Sequence, residues 1–176
     1  LGALNHPNIV TITDSGRLSS GEPYFVMEYV EGVSLDQLMH EQGPLALGLA
    51  LEVVAGVCEA LEAAHRIGII HRDLKPDNIC VVQRRGRSCV KVLDFGLARV
   101  AGQGRLTRPN TTHGTPEYMS PEQNMGLEVD GRADLYSLGV TLYEMLCGRL
   151  PFIADSYVAL AHQHLYAPLP AFRRWL

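Results

Sequence analysis

The stretch IIHRDLKPDNICVVQRRGRSCVKVLDFGLAR, residues 69–99, decides how this chain is read. Two acid-bearing turns, HRDLKPDN and DFG, flank two short apolar runs, NICVV and CVKVLD, which are joined by the polar QRRGRS. Short β-rich runs on either side of such a connector predict an antiparallel hairpin. A hairpin returns Asp94 to the neighbourhood of Asp73, Lys75 and Asn78. That grouping suits phosphoryl transfer to a hydroxyl. The reaction needs a carboxylate to orient the nucleophile and take its proton, positive charge near the transferred group, and hard oxygen ligands for Mg²⁺. Asp73 fits the base, Lys75 would reach the γ-phosphate, and Asn78 and Asp94 are the expected metal ligands. The arginines of QRRGRS read as a solvated tip.

Composition agrees with a folded enzyme. The 176 residues are 47% hydrophobic and 19% charged, enough to bury a substantial core. A net charge of −4 gives no global field for nucleic acid or an anionic membrane, so phosphate binding must be local. Cys58, Cys80, Cys89 and Cys147 form no CxxC pair and sit among apolar neighbours, which predicts buried free thiols and a reducing compartment. No uncharged apolar run approaches the roughly 18 residues of a membrane span, so no membrane contact is expected from this segment. A cytoplasmic location follows.

Outward from the decisive stretch, IVTIT (9–13) and PYFVMEYV (23–30) predict an antiparallel pair joined by DSGRLSSGEP. Ser34 caps a short helix, SLDQLMHE, which Gly43-Pro44 ends. A longer helix, about Ala46 to Ile67, shows an apolar stripe at Leu47, Leu51, Val54, Cys58, Leu61 and His65. After DFGLAR come more than 30 polar residues, a length usual in functional loops. ADLYSLGVTLYEMLCG then predicts a centrally buried helix carrying Leu135, Leu138, Leu142, Met145 and Leu146, with Gly148 at its C-terminal end. A last helix is expected over DSYVALAHQHL. HQH, at 162–164, separates two imidazoles by about 200° on a helix, which argues against a shared metal.

HRDLKPDN, DFGLAR, GTPEYMSPEQ and DLYSLG, in this order, resemble the eukaryotic-like serine/threonine protein kinases, and the wording is most similar to the bacterial members. The resemblance covers essentially the whole chain. It implies an α+β, two-lobed kinase fold in which residues 1–30 close the small β lobe and residues 31–176 form most of the helical lobe, incomplete at its C-terminus. It also implies ATP in the cleft. Met27 would then be the gatekeeper beside the adenine, the backbone of Glu28 and Val30 would read its edge, and Cys80 and Leu93 would line the pocket. His71 and Phe95 would pack together in the spine linking the lobes. Asp134 would hydrogen-bond the backbone of the catalytic turn, as an alternative to a simple helix-start charge.

The same resemblance assigns regulation and substrate class. Arg72, before the base, marks kinases switched by phosphorylation of the loop after DFG, with a buried guanidinium to receive the phosphate. Thr107, Thr111 and Thr112 are the candidate acceptors. Thr115 matches a threonine that contacts the catalytic aspartate and lysine, which with Lys75 implies protein Ser/Thr acceptors. A dimer for trans-autophosphorylation is compatible with this scheme. Glu122 would pair with an arginine beyond the present chain, and is expected to be unpaired here.

A glycine-rich phosphate loop, a strand lysine and its helix glutamate are not found in these 176 residues. The chain has two lysines, Lys75 and Lys91, and both lie in the segment already described. Starting at Leu1, it is therefore expected to be part of a longer kinase and to be inactive by itself; the resemblance is compatible with a membrane-anchored parent that has a cytoplasmic catalytic domain. The alternative is a noncatalytic, pseudokinase-like binding module. Such a module has no chemical need for Asp73, Lys75, Asn78 and Asp94 together.

Overall fold

The computed structural model describes residues 4–84, 87–95 and 115–171. It is a mixed α+β structure with a two-stranded and a three-stranded sheet and helices built around the second. β1 (Ile12–Arg17) pairs antiparallel with β2 (Pro23–Met27). This pair lies later than IVTIT predicts, because the polar residues Asp14–Arg17 are in the strand and only Leu18–Glu22 turn. The reason is where the apolar residues go. Ile9 and Val10 are buried, and the backbone at residues 8–10 pairs with Val92, through Val10 N–H to Val92 O and Val92 N–H to Asn8 O. Strand pairing in an exposed two-stranded ribbon needs no apolar face, so DSGR serves.

β3 (Val33–Ser34) is too short to show in the sequence. It pairs with β4 (Ile79–Arg84), which pairs in turn with β5 (Arg87–Val92), both antiparallel. The predicted hairpin is thus present, in the register Ile79 opposite Val92 and Cys80 opposite Lys91. The tip at 85–86 lies outside the described residues. Gly32 enters β3 so close to β4 that an added Cβ would sit 2.6 Å from the Val81 carbonyl oxygen and 2.8 Å from Cys80 Sγ. No larger residue fits there without a shift.

Helix α1 (Leu35–Gln42) begins where Ser34 accepts the Gln37 N–H and ends at Gly43, whose φ of 72° suits glycine. Helix α2 (Leu47–His65) has the predicted length and a different buried face. Leu47, Leu51 and Cys58 are exposed, whereas Ala50, Val53, Val57, Ala60 and Ala64 are buried. The large side chains mislead here. Of the predicted stripe, Leu61 is buried and Val54 packs partly against the core; the rest of the core side is lined mostly with small and β-branched residues because the helix backbone lies against β5. At Gly56 an added Cβ would come within 2.1 Å of Val90 Cγ2.

From residue 115 onward, a 3₁₀ turn (Pro116–Tyr118) and the short α3 (Pro121–Asn124) lead to α4 (Arg132–Cys147) and α5 (Tyr157–Tyr166). Helix α4 is central as expected, with Leu138 and Met145 buried, and Gly148 follows it in the left-handed conformation. Leu135 is the exception, 52% exposed on the outer side of the first turn. Of the cysteines, Cys80 is buried, Cys147 is half-buried, and Cys58 and Cys89 are exposed. All four are free thiols, and the expectation that all are buried does not hold. Both exposed cysteines lie on the outer side of elements whose other side packs inward.

Gly56→Ala weighs two effects against each other. Alanine improves helix propensity by about 1 kcal/mol, but Val90 is buried, β-branched and unable to move aside, and such overpacking costs about 1–3 kcal/mol. A net loss of stability is expected, read as a lower urea midpoint at unchanged slope.

Candidate active site

The turn at 71–78 is built from residues that would not hold this shape alone. Arg72 has φ 69° and Asp94 φ 61°, the two non-glycine residues with positive φ among those described. Each costs on the order of 1 kcal/mol or more unless its surroundings impose it. For the first turn, the surroundings centre on Asp134. This carboxylate is fully buried in the first turn of α4 and accepts the N–H of His71 at 2.9 Å and of Arg72 at 2.8 Å. Its Oδ2 also lies 2.7 Å from His65 Nε2, at the end of α2. From the opposite side, Gln123 Nε2 donates to the Arg72 carbonyl at 2.7 Å.

His71 is buried and joins the two acid-bearing turns. Its Nε2 lies 2.8 Å from the Leu93 carbonyl oxygen, and a carbonyl only accepts, so Nε2 carries the proton. Nδ1 is then free to accept from Asp73 N–H at 3.3 Å. The ring also meets Phe95 edge-on, with centroids 4.8 Å apart. Burial pushes the His71 pKa down from its ordinary value, and the bond to Leu93 opposes this only in part. This is a neutral core histidine and not a proton-transfer group. A second tie runs from Leu93 N–H to the Asn78 carbonyl at 2.9 Å.

The chemistry-bearing side chains converge on this frame. Thr115 donates its N–H to Asp73 Oδ1 at 3.0 Å, and its hydroxyl lies 3.3 Å from the same oxygen. Lys75 Nζ donates to Thr115 Oγ1 at 2.8 Å. Asn78 Nδ2 donates to the Asp73 carbonyl at 2.8 Å, which commits the amide nitrogen and leaves the amide oxygen for a cation. Asp94 is exposed one residue beyond Leu93. A carboxylate oxygen and an amide oxygen, on two turns tied by the Leu93–Asn78 bond, form a donor set suited to Mg²⁺.

The model for the protein kinase domain matches residues 1–169. The chain belongs to the protein kinase family. It is 48% identical over 178 aligned residues to the serine/threonine-protein kinase PknB of Mycolicibacterium smegmatis, covering 98% of this chain and 28% of that protein. It is 47% identical to PknB of Mycobacterium tuberculosis with the same coverage, and 46% identical to the serine/threonine-protein kinase pkn3 of Myxococcus xanthus, covering 97% and 32%. The chain thus spans about a third or less of the curated relatives it matches. The mixed α+β structure is that of a bacterial serine/threonine protein kinase domain.

Within this kinase domain the remaining predicted positions lie on several elements. Met27 ends β2 and is 37% exposed, Glu28 and Val30 are half-buried in the segment that follows, Cys80 is buried in β4, and Leu93 is half-buried before Asp94. Arg72 is exposed, with its backbone held by Asp134 and Gln123. Thr107, Thr111 and Thr112 lie outside the described residues. Glu122 is half-buried in α3. His162 is exposed and His164 buried with Nδ1 2.8 Å from Tyr136 Oη, and no metal-holding cluster of His, Cys, Asp or Glu occurs among the described residues.

Two positioning residues escaped the sequence reading. His65 looked like one more member of an apolar stripe, and its partner Asp134 is 69 residues away. Gly131 faces its ring so closely that an added Cβ would lie 2.7 Å from His65 Nδ1. Gln123 had a local signal in the Ser120-x-x-Gln123 capping box, which is formed, but nothing pointed to its bond with Arg72.

Two outcomes follow. Asp134→Ala leaves two buried N–H groups without an acceptor and should lower the unfolding free energy by roughly 3 kcal/mol or more, read by urea titration. The depressed pKa of His71 means that the unfolded chain takes up a proton near pH 6.5 while the folded one resists it. Stability should therefore fall as the pH drops below about 6.5. His164 acts in the same direction, so His71→Phe should reduce, not abolish, the difference in unfolding free energy between pH 7 and 5.5.

Proposed function

We propose that this domain transfers the γ-phosphate of ATP to Ser or Thr hydroxyls of proteins, with Asp73 as the base. One observation carries the reading. Asp73, Lys75 and Thr115 form a single hydrogen-bonded group in which the backbone and hydroxyl of Thr115 fix the carboxylate through Oδ1. The acceptor hydroxyl then takes the other carboxylate oxygen and gives up its proton there as its own oxygen attacks the γ-phosphorus, the bond to the β,γ-bridging oxygen breaks, and ADP leaves. Lys75 places its charge beside the transferring group. Asn78 and Asp94 would hold Mg²⁺, which when bound neutralises charge on the phosphates. Met27, Glu28, Val30, Cys80 and Leu93 would receive the adenine.

Residues 1–30 are read as the end of the small lobe and 31–176 as the larger one. Arg72 would answer phosphorylation at Thr107, Thr111 or Thr112. No described helix is long and apolar enough to cross a membrane. Lys75 belongs to the group around Asp73 and Lys91 lies in the strand leading to Asp94, so neither is read as the lysine that grips the α- and β-phosphates. Phosphotransfer by these 176 residues alone is accordingly negligible.

The test is Asp73→Asn in the full-length gene product, followed by transfer of radiolabel from ATP to a protein acceptor. A loss of kcat of at least about a hundredfold with ATP binding retained is expected. Near-normal turnover would remove Asp73 from the role of base. A wild-type protein that binds partners but neither ATP nor phosphate acceptors would favour the noncatalytic module.

A further inference from the structure

Lys91 has no part in the chemistry described above, yet it is among the most connected cations in the domain. It sits in β5, three residues before Asp94, and its Nζ donates to Glu28 Oε1 at 2.5 Å and to the Ile9 carbonyl at 3.2 Å. Its side chain is 13% exposed and that of Glu28 32%. Glu28 Oε1 also accepts the N–H of Thr11 at 2.8 Å, while Glu28 N–H donates to Thr11 O at 3.0 Å. One carboxylate oxygen therefore gathers the segment leading into β1, the residue that follows β2, and the strand leading to Asp94. The neighbouring cation draws the Glu28 pKa below the usual carboxylate value.

The position of this node matters more than its strength. Glu28 begins the segment whose backbone would read adenine, and Asp94 ends the strand whose carboxylate would hold the metal on the phosphates. The front of β1 is tied to β5 by the backbone bonds at Asn8, Val10 and Val92. At the far end of β2 the tie to β5 is made by side chains, Glu28 to Lys91.

We infer that the Lys91–Glu28 pair is a positioning device for ATP, fixing the distance between the adenine-reading backbone at 28–30 and the Asp94–Asn78 pair. The inference rests on the kinase reading above. It assigns Lys91 no contact with the reacting atoms, so its loss acts on nucleotide binding and leaves the chemical step largely intact.

The experiment measures KM for ATP and kcat in the full-length gene product, with one protein acceptor at a fixed saturating concentration. Lys91→Met keeps the alkyl stem and removes the charge, and should raise KM for ATP roughly tenfold with kcat within about twofold. Lys91→Arg keeps the pair and should restore KM to within about threefold of wild type. Glu28→Gln should reproduce the effect of Lys91→Met from the other side, and serves if Lys91→Met does not fold. Unchanged KM in Lys91→Met and Glu28→Gln would overturn the inference, as would a fall in kcat with no change in KM. A wild-type protein that does not bind ATP at all would overturn the kinase reading and this inference with it. A wild type that binds ATP beside an unaffected Lys91→Met would overturn the inference alone.

Discussion

Everything in the site depends on a buried carboxylate. Asp134 is fully enclosed, and a charge in such a place is costly unless every lone pair it presents is answered by a donor. Here the donors are two consecutive backbone N–H groups of the catalytic turn and an imidazole from the end of α2. The arrangement is mutual. The turn gives the charge its solvation, and the charge imposes on Arg72 a backbone conformation that arginine would not choose. With that conformation fixed, Asp73 is presented to Thr115 and Asn78, and His71 is directed at the second turn.

This explains how a few short elements can carry precise chemistry. The 71–78 segment contains little regular structure beyond one 3₁₀ turn at Pro76–Asn78. Its shape comes from side chains contributed by α2, α3 and α4 and from the hairpin of β4 and β5. Such a site is only as rigid as those supports. The supports are rigid because their cores are closely packed, most of all where Gly56 lets α2 settle against Val90.

Much of this was legible in the sequence, and the failures have physical causes. The hairpin, the caps at Ser34 and Gly43, and the central helix were visible because turn chemistry and apolar periodicity are local signals. The closeness of the HRDLKPDN turn to the strand end at Leu93 was visible because the hairpin between them is short. The buried face of α2 was read correctly at Leu61 and misread elsewhere because hydrophobicity was weighed by size, while the packing against β5 demanded smallness: Ala50, Ala60 and Ala64 face inward and Leu47 and Leu51 outward. β1 was misplaced because a solvent-exposed ribbon imposes no apolar pattern. The parts played by His65 and Gln123 could not be read at all, since each depends on a partner more than 50 residues away.

That dependence on distant partners also sets an order in time. The bonds that hold the catalytic turn join residues 62 and 63 positions apart, and those that fix Asp73 and Lys75 join residues 40 to 42 apart. A chain grows from its N-terminus, and long-range contacts form only after their later member exists. The HRDLKPDN segment is made 56 residues or more before Asp134, so the nascent chain lacks the carboxylate that shapes this turn until the first turn of α4 has been added and has cleared the ribosome. Through that stage of synthesis Arg72 lacks the acceptor that holds it in its left-handed conformation.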